Sequence, residues 1–174
     1  MIKDKALLYI SAPEISALCK KMGAQITSDY AGKELIVICV LKGSVLFTAD
    51  LIRNIDLKLK VDFVRLSSYG ENTESSGTVR ILKDVSFDIS GKHLLVVEDI
   101  LDTGHTLNFF CNHLKASKPA SVKICTLLEK PARKIIDIKA DYCGRSIDDH
   151  FVVGYGLDLA EKCRNYPDIV YFKN

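Results

Sequence analysis

A central, mainly parallel α/β sheet flanked by helices is the fold class that the sequence predicts, and three observations carry it. Unbroken apolar runs at residues 35–41, 94–97 and 122–128 have the length of strands buried on both faces, the pattern of a parallel sheet. Segments of helical period lie between such runs, so that strand and helix alternate along the chain. The length of 174 residues suits one domain over residues 1–174 with a substantial core.

Taken in order, Ser11 followed by Glu14 is a capping-box signature, after which Ile15, Leu18, Cys19, Met22, Ile26 and Tyr30 recur at helical spacing as far as Gly32. The run LIVICVL at 35–41 ends at Lys42, Gly43 and Ser44, and residues 45–55 read as a helix with Ser44 as its N-cap. Leu59, Val61 and Phe63 alternate as in a half-buried strand. Residues 67–80, SSYGENTESSGTVR, form the one long polar stretch, with too little apolar surface to offset the entropy of ordering; a flexible lid is expected there. Strand character resumes at 79–85, a turn follows at 89–92, and the buried strand 94–97 leads to a helix at about 106–116. Pro119 stops that helix, 122–128 is the third buried strand, and short strands are expected at 151–153 and 169–172.

With 48% hydrophobic and 26% charged residues, the chain is not disordered, collagen-like or coiled-coil. A net charge of +2 is too small for a nucleic-acid or membrane footprint, so neither partner is expected. No apolar run approaches the ~18–20 residues needed to cross a bilayer. The start MIKDKALLYI is too short and too charged for a signal peptide, so a cytoplasmic protein is expected. Six scattered cysteines form no C-x-x-C pair and read as small buried hydrophobes. Cys111 and His113, two apart on a helix, face different ways and share no metal.

Chemistry concentrates in LLVVEDILDTGHTL, residues 94–107. A buried strand ends in two adjacent acids, Glu98 and Asp99, and a third acid, Asp102, opens a Thr-Gly-His-Thr turn into a helix. Glycine permits close backbone approach, and the exposed N–H groups of the helix start, with the hydroxyls of Thr103 and Thr106, make a cradle for a phosphate. The carboxylates would repel that phosphate unless they met sugar hydroxyls or a divalent cation. A phosphorylated sugar with Mg2+ satisfies both halves. Asp-Thr-Gly also occurs in aspartic proteases, but that fold is all-β and this segment runs from strand to helix. GYGL at 154–157 is a weak match to a dinucleotide-binding loop, because Leu159 stands at the third glycine position.

VVEDILDTGHT resembles the phosphoribosyl-pyrophosphate (PRPP) signature of type I phosphoribosyltransferases. VLKGS, SSYG, LLEKP and FVVGYGLD, in that order, are similar to the hypoxanthine-guanine phosphoribosyltransferases of bacteria. The likeness spans nearly the whole chain. It implies the type I fold, with a small hood over the base site built from the C-terminal part and N-terminal residues. It also implies transfer of 5-phosphoribosyl from PRPP to N9 of hypoxanthine or guanine in purine salvage, and a homodimer or homotetramer.

The resemblance assigns residues as follows. Glu98 and Asp99 hold the ribose hydroxyls and their Mg2+, while Thr103, Gly104, His105 and Thr106, with Asp102, wrap the 5′-phosphate. Lys42 and Gly43 form the pyrophosphate loop, with a non-proline cis peptide before Lys42, and Arg164 is a second pyrophosphate contact. Asp102 is the general base at the purine N7. Lys130 donates to the 6-oxo group, a match that adenine lacks. Phe151 stacks on the base, the Val152 backbone reads its edge, and Asp158 binds a second Mg2+. Ser68 and Tyr69 close over the pyrophosphate. Where relatives read G-F-x-I-P-D-x-F, this chain has Gly144, Arg145, Ser146, Ile147, Asp148, Asp149, His150 and Phe151, and Leu159 replaces the usual aromatic. The alternative on the same fold is a regulatory protein that senses PRPP and binds nucleic acid.

Overall fold

The structure, a computed structural model, describes residues 6–69 and 78–172. Strand β1 (Ala6–Ile10) enters helix α1 (Ala12–Asp29), whose start is fixed by Glu14: its carboxylate accepts from the Ser11 amide at 2.9 Å and the Ser11 hydroxyl at 2.8 Å. Ile15, Cys19, Met22 and Ile26 face inward. Strand β2 (Leu35–Leu41) follows, then α2 (Val45–Ile52) and the hairpin β3 (Leu59–Tyr69) and β4 (Thr78–Lys83). Strand β5 (His93–Leu101), helix α3 (His105–Ala116) and strand β6 (Ser121–Glu129) complete the central unit. A 3-10 turn at Pro131–Arg133 leads to β7 (Tyr142–Ser146), and β8 (Val152–Val153) and β9 (Ile169–Phe172) close the described chain.

The large sheet has the order β4-β3-β2-β5-β6-β7, parallel except for β4. Residues Leu35 to Val40 of β2 are all buried, because α1 and α2 cover one face of the sheet and α3 the other. A small antiparallel sheet, β1-β9-β8, is tied to the start of α1 by the Ala12 amide, which donates to Asp168 Oδ1 at 2.7 Å. Five of the six cysteines are buried and Cys143 is partly so, as expected for small hydrophobes. Among the described residues no helix is long and apolar enough to cross a membrane.

Several sequence expectations are corrected. Helix α2 stops at Ile52 rather than residue 55, because Arg53 Nε and Asn54 Nδ2 turn back, each at 2.8 Å, onto the carbonyls of Ala49 and Asp50. Ser44 is the N-cap residue of α2, as expected, but its hydroxyl donates back to the Val40 carbonyl at 2.6 Å and makes no side-chain cap bond. In β3 Leu59 and Val61 are half-buried as expected, whereas Phe63 is 41% exposed and the buried residues are Asp62 and Val64 on the opposite face. Residues 67–69 and 78–80 are paired strand ends, Ser67 opposite Arg80 and Tyr69 opposite Thr78, so the polar stretch is strand at both margins. The remainder of the expected lid, residues 70–77, lies outside the described residues. Strand β5 runs past the acids to Leu101, because Ile100 and Leu101 still pair with Leu128 and Glu129. The alternation of helix and strand ends at Ala116 among the described residues: the crossover from β6 to β7 is the 3-10 turn and an extended segment whose Ile135 and Ile136 amides both donate to the Thr103 carbonyl. Strands β1 and β7 have no counterpart in the sequence reading; β1 joins the two expected C-terminal strands in the small antiparallel sheet, and β7 is the edge of the large one.

The buried Asp62 ties β3 to the segment after β4. It accepts from the amides of Phe63 and Ser86 and from Lys83 Nζ. Burial pushes its carboxyl up, but these three donors outweigh burial and hold it below the ordinary aspartate value of 3.8. The unfolded chain therefore takes up this proton first, and the stability from Asp62, full above 3.8, is lost as pH falls through its lowered folded value. We expect Asp62→Asn to cost about 1–3 kcal/mol in urea unfolding at neutral pH and to flatten the acid limb of stability. An acid limb as steep as in the unmodified chain would contradict the assignment.

Candidate active site

The site follows from the connectivity of the large sheet. From β2 the chain moves to β3 on one side, and from β5 to β6 on the other, with the connecting helices on opposite faces. The loops leaving the carboxyl ends of the neighbouring strands β2 and β5 therefore diverge and open a crevice, the usual ligand position in such sheets. A cavity of about 250 Å3 lies there, lined by Leu41, Glu98, Asp102, Thr103, Gly104 and Thr106 among others. Gly104 is the N-cap of α3 with φ 89°, a left-handed conformation suited to glycine. A side chain there would also crowd Ile138 Cγ2 at 2.8 Å. Free amides at the start of α3 thus face the crevice with the positive end of the helix dipole. His105 is exposed and does not line the cavity.

Glu98 and Asp99 lie within β5, beside that turn. Burial, then each other's charge, pushes Glu98 well up, and burial also raises Asp99. A Cβ on Gly43 would fall on the Asp99 carboxylate, so a side chain there would displace that acid. A Cβ on Gly156 would likewise strike the Gly43 carbonyl. Three backbone segments therefore interlock at the end of β2. Both acids offer hard oxygen donors of the kind Mg2+ takes. No group of three metal-ligating side chains occurs among the described residues, so a cation held by this pair would complete its shell with substrate oxygens and water.

Beside the acid pair stands a cluster of alternating charge. The Leu41–Lys42 peptide is cis. Lys42 Nζ is 2.8 Å from Glu161 Oε2, and Arg164 Nη2 lies 2.8 Å from Asp158 Oδ1 and 3.5 Å from the same Glu161 oxygen. Arg164 Nη1 donates to the Gly156 carbonyl at 2.7 Å, which links the guanidinium to the interlocked glycines. The structure thus brings Lys42, Gly43 and Arg164 together, as the sequence reading grouped them, sets Asp158, expected near the purine 2-position, on the Arg164 guanidinium, and adds Glu161, which that reading did not single out.

A second chain of charges runs from Asp102. Arg133 Nε donates to Asp102 Oδ1 at 2.7 Å, Arg133 Nη1 reaches Asp149 Oδ2 at 3.5 Å, and Lys130 Nζ lies 3.3 Å from Asp149 Oδ1. Lys130 is only 7% exposed, and its amide donates to the Leu101 carbonyl at 2.9 Å, fixing it beside the end of β5. Arg133 and Asp149 were not foreseen. Arg133 closes the 3-10 turn that Lys130 begins, and Asp149 belongs to the stretch that departs from the expected pattern. In the same stretch His150 stacks on Tyr171 with ring centres 4.7 Å apart. Phe151 stands 55% exposed just before β8, and Val152 is buried in that strand. Neither lines the cavity at the turn. Ser68 and Tyr69 end β3.

A doubly wound sheet with paired acids and a glycine-led helix start at its switch point defines an α/β protein built to hold a phosphorylated ligand. The chain belongs to the phosphoribosyl transferase family: the model of the phosphoribosyl transferase domain matches residues 9–160. The hypoxanthine-guanine phosphoribosyltransferase of Staphylococcus epidermidis is 49% identical over 169 residues, covering 97% of this chain and 94% of that protein. The protein of the same name from Streptococcus pneumoniae is 49% identical over 170 residues, 98% of this chain and 94% of that one. The crystal structure of a hypoxanthine phosphoribosyltransferase from Staphylococcus aureus superposes with a TM-score of 0.95 at 46% identity, covering 99% of this chain and 94% of that one.

Crowding two acids into one partly buried strand end costs stability. Glu98→Gln removes the mutual repulsion while keeping size, and we expect it to raise Tm of the free chain by about 2–4 °C, on the order of 1 kcal/mol. A lower Tm in calorimetry would show that the pair is not repulsive.

Proposed function

We propose that the chain transfers the 5-phosphoribosyl group of PRPP to N9 of hypoxanthine or guanine, forming IMP or GMP and pyrophosphate in purine salvage. One juxtaposition carries the reading: the phosphate-sized turn, Glu98 and Asp102 line one crevice, with Asp99 next to Glu98 on β5, and Asp102 is joined to Lys130 through Arg133 and Asp149. The names and extent of the relatives support it. In this reading the amides of Gly104, His105 and Thr106 with the hydroxyls of Thr103 and Thr106 hold the 5′-phosphate, and Glu98 and Asp99 accept from the ribose hydroxyls.

As the C1′–oxygen bond to pyrophosphate breaks and the C1′–N9 bond forms, the purine N7 proton passes to Asp102. Arg133 on Oδ1 fixes the carboxylate plane, and among the described residues no donor takes Oδ2, the oxygen left for N7. Lys130 donates to the 6-oxo group, and an adenine amino group there would leave donor facing donor. Phe151 offers a stacking face, and the Val152 backbone reads the base edge. Lys42, the Gly43 loop and Arg164 take the leaving pyrophosphate. Glu98, Asp99 and Asp158 would hold Mg2+, which supplies charge neutralisation to the pyrophosphate when bound. Ser68 and Tyr69, by the resemblance, cover that group. One domain, with the small sheet as a hood over the base, and a homodimer or homotetramer complete the proposal.

Incubation with PRPP and Mg2+ and, in turn, hypoxanthine, guanine, xanthine and adenine tests it directly. Nucleotide should form with hypoxanthine or guanine and not with adenine. No product with any base, together with PRPP-dependent retention on nucleic acid, would select a regulatory protein instead. Asp102→Asn should keep the fold and PRPP affinity and lower kcat by about 10²–10⁴-fold; undiminished turnover would remove Asp102 from the role. Lys130→Gln should raise the purine KM far more than the PRPP KM, and the opposite split would place Lys130 on the phosphates.

A further inference from the structure

Glu161 has no part in the reaction described above, yet one of its carboxylate oxygens lies 2.8 Å from Lys42 Nζ and 3.5 Å from Arg164 Nη2, the two cations assigned to pyrophosphate. Its position is built into the backbone. Ala160 and Glu161, neither a glycine, have φ of 49° and 63° in a turn closed by reciprocal Leu159 and Lys162 backbone bonds of 3.1 and 3.0 Å. The Glu161 amide donates to Asp158 Oδ2 at 2.8 Å, which pins the turn to the same cluster. The Glu161 side chain is 65% exposed and Lys42 49%, so these ion pairs sit in water-rich surroundings and are individually weak. A diphosphate, with several charged oxygens, can displace such a carboxylate; the carboxylate returns when the diphosphate leaves.

Resting on the transferase reading, we propose that Glu161 is an internal competitor for the pyrophosphate site, a carboxylate that reclaims Lys42 and Arg164 and so weakens retention of the leaving group. The purine never meets these cations, so its affinity is untouched. A residue that only braced the turn would affect stability and the placement of Lys42, and its loss would weaken the anion.

The experiment compares the unmodified chain with Glu161→Gln, which removes the charge and keeps the shape, and Glu161→Asp, which keeps the charge. Each is titrated calorimetrically with inorganic pyrophosphate in the presence of Mg2+. Each is also assayed for pyrophosphate inhibition and for the KM of PRPP and of hypoxanthine. Glu161→Gln should bind pyrophosphate about three- to tenfold more tightly, with a parallel fall in its inhibition constant and in the PRPP KM and no change in the hypoxanthine KM. Glu161→Asp should fall between the two. Unchanged or weakened pyrophosphate binding in Glu161→Gln, with normal folding, would overturn the proposal. If the unmodified chain formed no nucleotide at all, the transferase reading would fall first and this inference with it.

Discussion

Asp99 occupies the space in which a side chain at residue 43 would begin, and the rest of the crevice is arranged around that contact. A side chain at 43 would have to push that carboxylate aside, and the Gly43 carbonyl, a backbone atom, requires glycine at 156. The turn after β8 is thereby drawn over the end of β2, and Arg164, bonded to the Gly156 carbonyl, arrives with it. A close-packed interior tolerates no slack at such a point. The positions of the acid pair, the Lys42 loop and the guanidinium are in effect one geometric statement, made by two residues that lack side chains.

Two strings of charge flank the acid pair. One runs Lys42, Glu161, Arg164, Asp158, and the other Lys130, Asp149, Arg133, Asp102. Their members alternate in sign, so each cation and each acid assigned to substrate already has a protein partner. Burial pushes Asp149 up, but Lys130 and Arg133 outweigh it and hold it low, so it remains an anion at neutral pH. The exposed pairs among these add little to stability, and the buried Lys130 is the member whose charge most needs its partner. The acid pair is the reverse case, two carboxyls pushed up by burial and held side by side by the strands on either side.

The central sheet was legible because β2, β5 and β6 are covered on both faces and show as unbroken apolar runs. The phosphate turn was legible for a different reason: acids, glycine and hydroxyls stand together over ten residues from Glu98 to Leu107. What escaped depends on contacts between distant segments. Strands β1 and β7 are short and poorly patterned alone, and take their conformation from β9 and β6. The exposure of Phe63 breaks with the half-burial of Leu59 and Val61 on its own face, which no local period records. Arg133 and Asp149 are ordinary surface residues in sequence and acquire meaning only when the 3-10 turn brings them between Lys130 and Asp102. Glu161 was hidden in the same way, since its partner Lys42 is 119 residues earlier.

The small sheet imposes an order on pairing. Strand β9 is its middle member, so neither β1 nor β8 has a partner in it until Ile169–Phe172 has been made. Strands β2 through β7, with the acid pair, the turn before α3 and Lys130, all precede β9 in the chain. Closing the ring from Ala6 to Phe172 spans almost the whole described chain and carries the largest loop-closure entropy in the fold. The large sheet holds no strand later than β7, so its pairing is independent of β9, whereas the small sheet bearing Val152 is complete only with the most distant pairing in the described chain.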